Sequence, residues 1–359
     1  MENQIKTRQI CALFIAHLPL TKIIVAPAYF ANVCAEKLWQ PLLILLFLDL
    51  LLLLVCLFIF KKHGEKSFYQ ILHDNYGKIF TNAIFIGYAI FFIIKSIIPI
   101  FEQKIFIENT FYETLPQAPV FYPALIIVFY LSLKGFKTFG RVAEITSVIT
   151  TVGFLLILFL AIPSAKYENI LPLFAFSGKN TPICALTALS WFNDGIYLLF
   201  FLGSFKRKKG DGLKIFISYL VPFLLIVLFY ITFYGIFSFV AESRKVAISE
   251  VGIFSVALIN VGRFDHVALF FLALSSSIAI TLPVMMSTHC LTLVFGENKR
   301  LTISLLLTLL LLVICILFSS KYLACFNFIS RYFAPVFILF GYILPLFALR
   351  GNKNEIQES

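Results

Sequence analysis

Long apolar stretches alternate with short polar ones along almost the whole chain, and this pattern predicts about ten helices. The apolar segments run over residues 9–32, 39–60, 79–101, 117–134, 139–163, 181–203, 213–241, 264–293, 300–319 and 330–349. Trp39 to Phe60 carries a single charge, Asp49, and Leu301 to Ser319 carries none. At a rise of ~1.5 Å per residue, roughly 20 apolar residues cross the hydrocarbon of a bilayer. Lipid offers no hydrogen-bond partner, so a spanning backbone satisfies itself within helices or a closed barrel. Runs this long and continuous exclude the alternating pattern of barrel strands. The expected class is an all-α membrane protein with about ten transmembrane helices. The first segment is too long for a secretory signal peptide and runs through a polar interruption.

Composition agrees. Hydrophobic residues make up 60% of the 359 positions and charged ones only 13%, too few to cover a soluble domain of this size. The seven cysteines sit mostly inside apolar runs without paired metal spacing and read as small apolar filler. The formal net charge of +11 is organised by topology. With the N-terminus inside, alternate loops hold 18 Lys and Arg inside against 9 outside. That bias predicts both termini in the cytoplasm, with 350–359 as a polar cytoplasmic tail. The cluster Lys206–Lys209 reads as a stop-transfer and lipid-headgroup contact, not a nucleic-acid site.

The ten segments divide five and five. Segments one and six, and two and seven, start roughly 170 residues apart. An odd number of crossings per half forces the halves into opposite orientations. We therefore expect one domain over 1–359 built as an inverted five-plus-five repeat, repeat one at about 9–163 and repeat two at about 181–349. In such folds the first helix of each half is broken near mid-membrane. Both candidates carry a break signal about ten residues in. One reads His17-Leu18-Pro19-Leu20-Thr21-Lys22 and the other Ser190-Trp191-Phe192-Asn193-Asp194-Gly195. Proline removes an amide donor, and Asn, Asp and Gly favour turns. The candidate substrate-binding residues are Pro19, Leu20, Thr21, Lys22, Ser190, Trp191, Asn193, Asp194 and Gly195.

Ionisable groups at mid-membrane face the protein interior. Lys22 and Asp194 read either as a structural ion pair or as contacts for a ligand carboxylate and amine. The two readings are compatible if ligand displaces the pair. Lys22 also suits the part of a proton or sodium surrogate. Asp49 is mid-span without an evident partner. Lys95 lies about two turns from the predicted end of helix three, within snorkelling reach of the interface. Arg141 and Glu144, three apart, suit an internal pair. Ser275-Ser276-Ser277 suits close helix packing, with the lining of a cavity as the alternative, and His289 suits an interior histidine. No nucleophile–base set, His–Glu metal motif or glycine-rich phosphate loop is present, so neither an enzyme, a cofactor nor a metal site is expected.

Several stretches resemble the B-subunit permeases of bacterial spore nutrient-germinant receptors, in the amino acid–polyamine–organocation superfamily. They are the first helix running through Pro27 to Trp39, the turn Gly135 to Ile145 with Arg141-Val142-Ala143-Glu144, the loop Asn169 to Leu173, and Ser190 to Gly195 followed by Lys206–Lys209. The chain departs from the superfamily pattern in two places. No glycine stands in the first break, and Asn193-Asp194-Gly195 replaces a more usual Gly–Glu pair. The resemblance implies a LeuT/APC-like fold with broken helices 1 and 6. It implies binding of a small nutrient germinant such as an amino acid near helices one, three, six and eight. It also implies an A-type membrane subunit and a C-type lipoprotein subunit as partners in the spore inner membrane. A proton- or sodium-coupled amino acid or amine transporter is the alternative on the same fold.

Overall fold

The computed structural model describes residues 4–64, 66–111, 121–170, 181–205, 208–254 and 265–349. Lys206, Arg207, residues 171–173 of the Asn169–Leu173 loop and the tail 350–359 lie outside the described residues. Every regular element among the described residues is helical. The first segment is split into α1 (Thr7–Leu20) and α2 (Ala26–Cys34). Then come α3 (Trp39–His63), the short α4 (Phe68–Tyr76), α5 (Lys78–Thr110), α6 (Tyr122–Lys134) and α7 (Phe136–Ala161). The sixth segment contributes α8 (Thr181–Thr187) and α9 (Tyr197–Phe200) with tighter turns between. The chain continues through α10 (Asp211–Phe237), α11 (Ala247–Phe254), α12 (Asp265–Ser275), α13 (Ser277–Phe295), α14 (Arg300–Phe318), α15 (Tyr322–Tyr332) and α16 (Ala334–Ile338). The last helix runs on through a π-helical turn at Leu339–Ile343.

Seven helical stretches among the described residues are long and apolar enough to cross a membrane. The last segment, bent by 56° between Ala324–Tyr332 and Ala334–Leu349, makes an eighth if the pair is a single span. The first segment, broken after Leu20, and the 13-residue α6 are shorter.

Burial separates two kinds of helix. On α14 only Ile303, Ser304, Leu307, Leu311 and Cys315 are buried, and Leu306, Leu309, Leu310, Val313 and Leu317 point outward. That narrow stripe on an all-apolar helix is what a lipid-facing position requires, because the outer face gains nothing from polarity. In α13, by contrast, every residue from Ser277 to Thr288 is buried. It packs along α5, and Ser287 Oγ donates to the Ala89 carbonyl at 2.9 Å, satisfying its hydroxyl across the helix pair. The buried serines Ser275, Ser276 and Ser277 mark a one-residue interruption between α12 and α13. His289 is partly buried beside the Phe136 ring, 4.8 Å away.

Two sequence readings are corrected by packing. Helix three extends to Thr110, so α5 is ~50 Å long and Lys95 sits in its middle, buried, where it does not snorkel. Glu144 pairs with Arg8 at the start of α1, 2.7 Å away, and Arg141 is exposed. A partner on another helix replaces the expected neighbour three residues away.

Candidate functional site

The break in the first segment is built locally. Pro19 cannot donate to the preceding turn, yet α1 continues one residue past it before the chain turns at Thr21–Val25. The carbonyls at the α1 terminus find donors close by. Thr21 N reaches His17 O at 3.2 Å, and Lys22 N and Ile23 N reach Pro19 O at 2.9 and 3.0 Å. The Thr21 hydroxyl donates to the carbonyls of His17 and Leu18, each at 3.2 Å. Farther on, the Ile24 carbonyl accepts the Ala247 amide at 2.7 Å, anchoring the break to the start of α11. Lys22 follows the carbonyl end of α1, where the helix dipole favours a cation.

The break in the sixth segment is held from outside. α8 tightens into a 3₁₀ turn at Ala188–Trp191, Phe192 is extended, and Asn193 takes the left-handed conformation at φ 67°. Asparagine tolerates that region better than most residues. The freed amides would be orphans in a low-dielectric interior. Asp49 of α3 takes both: Asn193 N donates to Oδ1 at 2.7 Å and Asp194 N to Oδ2 at 3.3 Å. The same carboxylate accepts the hydroxyls of Tyr219 on α10, at 3.0 Å, and Tyr342 in the π-helical turn, at 3.2 Å. Two glycines make this fit possible. A Cβ on Gly341 would stand 2.2 Å from Asn193 Nδ2, and one on Gly195 would stand 3.0 Å from Leu53 N and 3.1 Å from Asp49 O.

The breaks meet through charge. Asp194 accepts from the Lys22 ammonium on one oxygen. Its other oxygen faces Lys95 Nζ at 3.2 Å and His17 Nε2 at 3.3 Å. Lys95 also donates to the Phe192 carbonyl, so α5 is tied to the unwound backbone. Lys22, Asp49, Asp194 and Glu102 are each 0% exposed and Lys95 5%. Charges so deep are stable only when paired and hydrogen-bonded. Asp194 supplies that pairing to two lysines. Aromatic faces add to it: Lys22 Nζ lies 5.0 Å from the Phe192 ring centre and Lys95 Nζ 5.8 Å from that of Tyr197.

Beside this cluster is a small cavity bounded by α1, α5, the 188–197 stretch and α13. Its lining includes His17, Thr21, Lys95, Glu102, Ser190, Trp191, Asp194 and Tyr197. It measures about 10 Å³ by where the centre of a water-sized sphere fits, enough for one such group. Glu102 accepts the Trp191 indole N–H at 2.8 Å.

Of the residues singled out from sequence, Thr21, Ser190, Trp191 and Asp194 line this cavity, and Lys22 joins it through Asp194. Pro19 and Leu20 lie in the still-helical end of α1, buried and outside the lining. Asn193 directs its amide at the Phe337 carbonyl, 3.4 Å away, and Gly195 packs on α3. Sequence reasoning gave no role to His17, no partner to Asp49 and no mention of Glu102. Glu102 fell one residue beyond the predicted end of helix three. Its signal was a carboxylate at i+7 from Lys95 on one helix face.

Among solved structures, a Na+-coupled sialic acid symporter, in its substrate-bound outward-open state, matches with a TM-score of 0.62 at 8% identity. The match covers 95% of this chain and 80% of the symporter's. At that identity the likeness is one of fold. No curated protein matches the sequence. The family model described as spore germination protein, the spore permeases, matches residues 4–323. With its apolar helices, its transporter-like fold and a family match over most of its length, this multi-pass membrane protein belongs to the spore germination protein family.

Proposed function

We propose that the chain is the permease-like, nutrient-sensing subunit of a spore germination receptor, and that it binds a small molecule such as an amino acid inside the membrane. The observation that carries this reading is the joining of two broken helices by buried charge. Lys22 and Asp194 belong to different breaks, 172 positions apart, and meet beside a small cavity lined by several polar side chains. Broken helices leave backbone groups and dipole ends free for a ligand, and the pair at their junction can be displaced by one.

In this reading the chain is a single permease-like domain. The seven long helices, the bent last pair, the broken first segment and α6 are taken as ten crossings. The two halves form an inverted five-plus-five repeat with both termini in the cytoplasm, in the spore inner membrane. An A-type membrane subunit and a C-type lipoprotein subunit complete the receptor. Ligand acts by shifting the population between helix arrangements, because it binds one more tightly than the other. Pro19, Leu20, Thr21, Lys22, Ser190, Trp191, Asn193, Asp194 and Gly195 form the two breaks around the ligand.

The test is a thermal-stabilisation screen of the purified full-length protein against amino acids and nucleosides, repeated on K22M. A ligand that stabilises the natural protein and not a folded, membrane-inserted K22M supports the reading. Stabilisation undiminished in K22M removes Lys22 from the site. A coupled transporter of amino acids or amines is the second reading, because a Na+-coupled symporter shares this fold. Gradient-driven solute uptake by the chain alone in proteoliposomes would favour it.

A further inference from the structure

Asp194 is saturated. It faces two ammonium groups and an imidazole, so an incoming amine must displace one of them. Glu102 is not saturated. One of its oxygens accepts the Trp191 indole, and the other, Oε2, is buried with no partner at hydrogen-bonding geometry among the described residues. An amine arriving there displaces no cation.

The surroundings of Glu102 accept hydrogen bonds. Ser190 Oγ, Tyr197 OH and His17 Nδ1 are also buried and unpartnered among the described residues, and all three residues line the same cavity. Pro99 and Pro283 each remove the amide that would bond the carbonyl four residues back. Those carbonyls belong to Lys95 and Ala279, which line the cavity too. A carboxyl oxygen and two hydroxyls, on a lining that also includes Lys95 and Ala279 with their freed carbonyls, suit a donor-rich cation. The space accommodates one water-sized group, which is the size of an ammonium head. The nearby lysines are held by Asp194, and they do not neutralise Glu102 by direct contact.

We propose that Glu102 is the anchor for the protonated amine of the ligand, within the acceptor-lined cavity between α5, α13 and the 190–197 stretch. The assignment rests on the ligand-binding reading above and deepens it. The ligand class is a primary amine, free or as part of an amino acid. Lys22 and Lys95 lie on the Asp194 side of the same site, where a ligand carboxylate can compete for them.

The experiment is binding by calorimetry to the purified full-length protein. The probes are amino acids, the matching amines without the carboxylate, the matching acids without the amine, and nucleosides. Each is measured on the natural protein, Glu102→Gln and Glu102→Asp. The proposal predicts that amines and amino acids bind and that the acids do not. It predicts a loss of about tenfold or more in amine affinity for E102Q and partial recovery for E102D. If E102Q fails to fold, E102D and the amine-against-acid comparison on the natural protein decide. Binding of acids or nucleosides alone, or amine affinity unchanged in E102Q, overturns the anchor and leaves the ligand-binding reading standing. Binding by no probe of any class removes both.

Discussion

The two breaks solve one problem in different ways. Each stops a helix inside the membrane and must find partners for the backbone groups it frees. The first does so mostly with its own residues: Thr21 and the amides of Lys22 and Ile23 fold back on the α1 terminus, and one bond, from Ala247 N of α11 to the Ile24 carbonyl, comes from outside. The second borrows nearly everything. Asp49 comes from α3, Tyr219 from α10, Tyr342 from the last helix and Lys95 from α5. The first break is therefore a local structure that carries a cation, and the second is a tertiary structure that carries an anion. The difference predicts that damage around the second break is costly and damage to the first is mild.

The largest effect should come from D194N, which leaves Lys22 and Lys95 buried without their shared counter-ion. Loss of about 3–5 kcal/mol is expected, read as a collapse of the thermal midpoint of the purified protein. D49N should come next, at about 2–3 kcal/mol, because a carboxamide keeps one acceptor oxygen for the four donors that the carboxylate shares over two. Its signature is proteolytic susceptibility near residues 190–195, a site that D49N opens and T21V does not. G341A tests the fit of Asn193 over the last helix, with an expected cost of about 1–3 kcal/mol by the same thermal measurement. The mildest should be T21V, which removes the hydroxyl of the more local break for under about 1 kcal/mol. If T21V proved as damaging as D49N, the contrast between local and borrowed support would fail.

The same contrast explains what the sequence disclosed. The breaks themselves were legible, because Pro19 and the run Asn193-Asp194-Gly195 encode local geometry that few other residues encode. The meeting of Lys22 and Asp194 followed from matched depth and the cost of unpaired charge in lipid. The supports were not legible. Asp49 has four donors from three other parts of the chain, and no spacing rule connects residues 49, 193, 219 and 342. The apolar run ends near residue 101, which puts Lys95 near a helix end, whereas α5 continues to Thr110, its Gln103 amide reaching the Ala273 carbonyl of α12 and the Ser277 hydroxyl, and Lys95 becomes central. The same shortfall hid Glu102. Arg141 and Glu144 obeyed a local rule that a contact from Arg8 overrides.

The central claim is that the two broken helices are joined at Lys22 and Asp194. A double-mutant cycle on the purified full-length protein tests it most directly, with K22M, D194N and the double variant compared by stability. Joined side chains predict a coupling of about 1–3 kcal/mol, the double variant losing less than the two singles together. Single effects that add to within about 0.5 kcal/mol would contradict it.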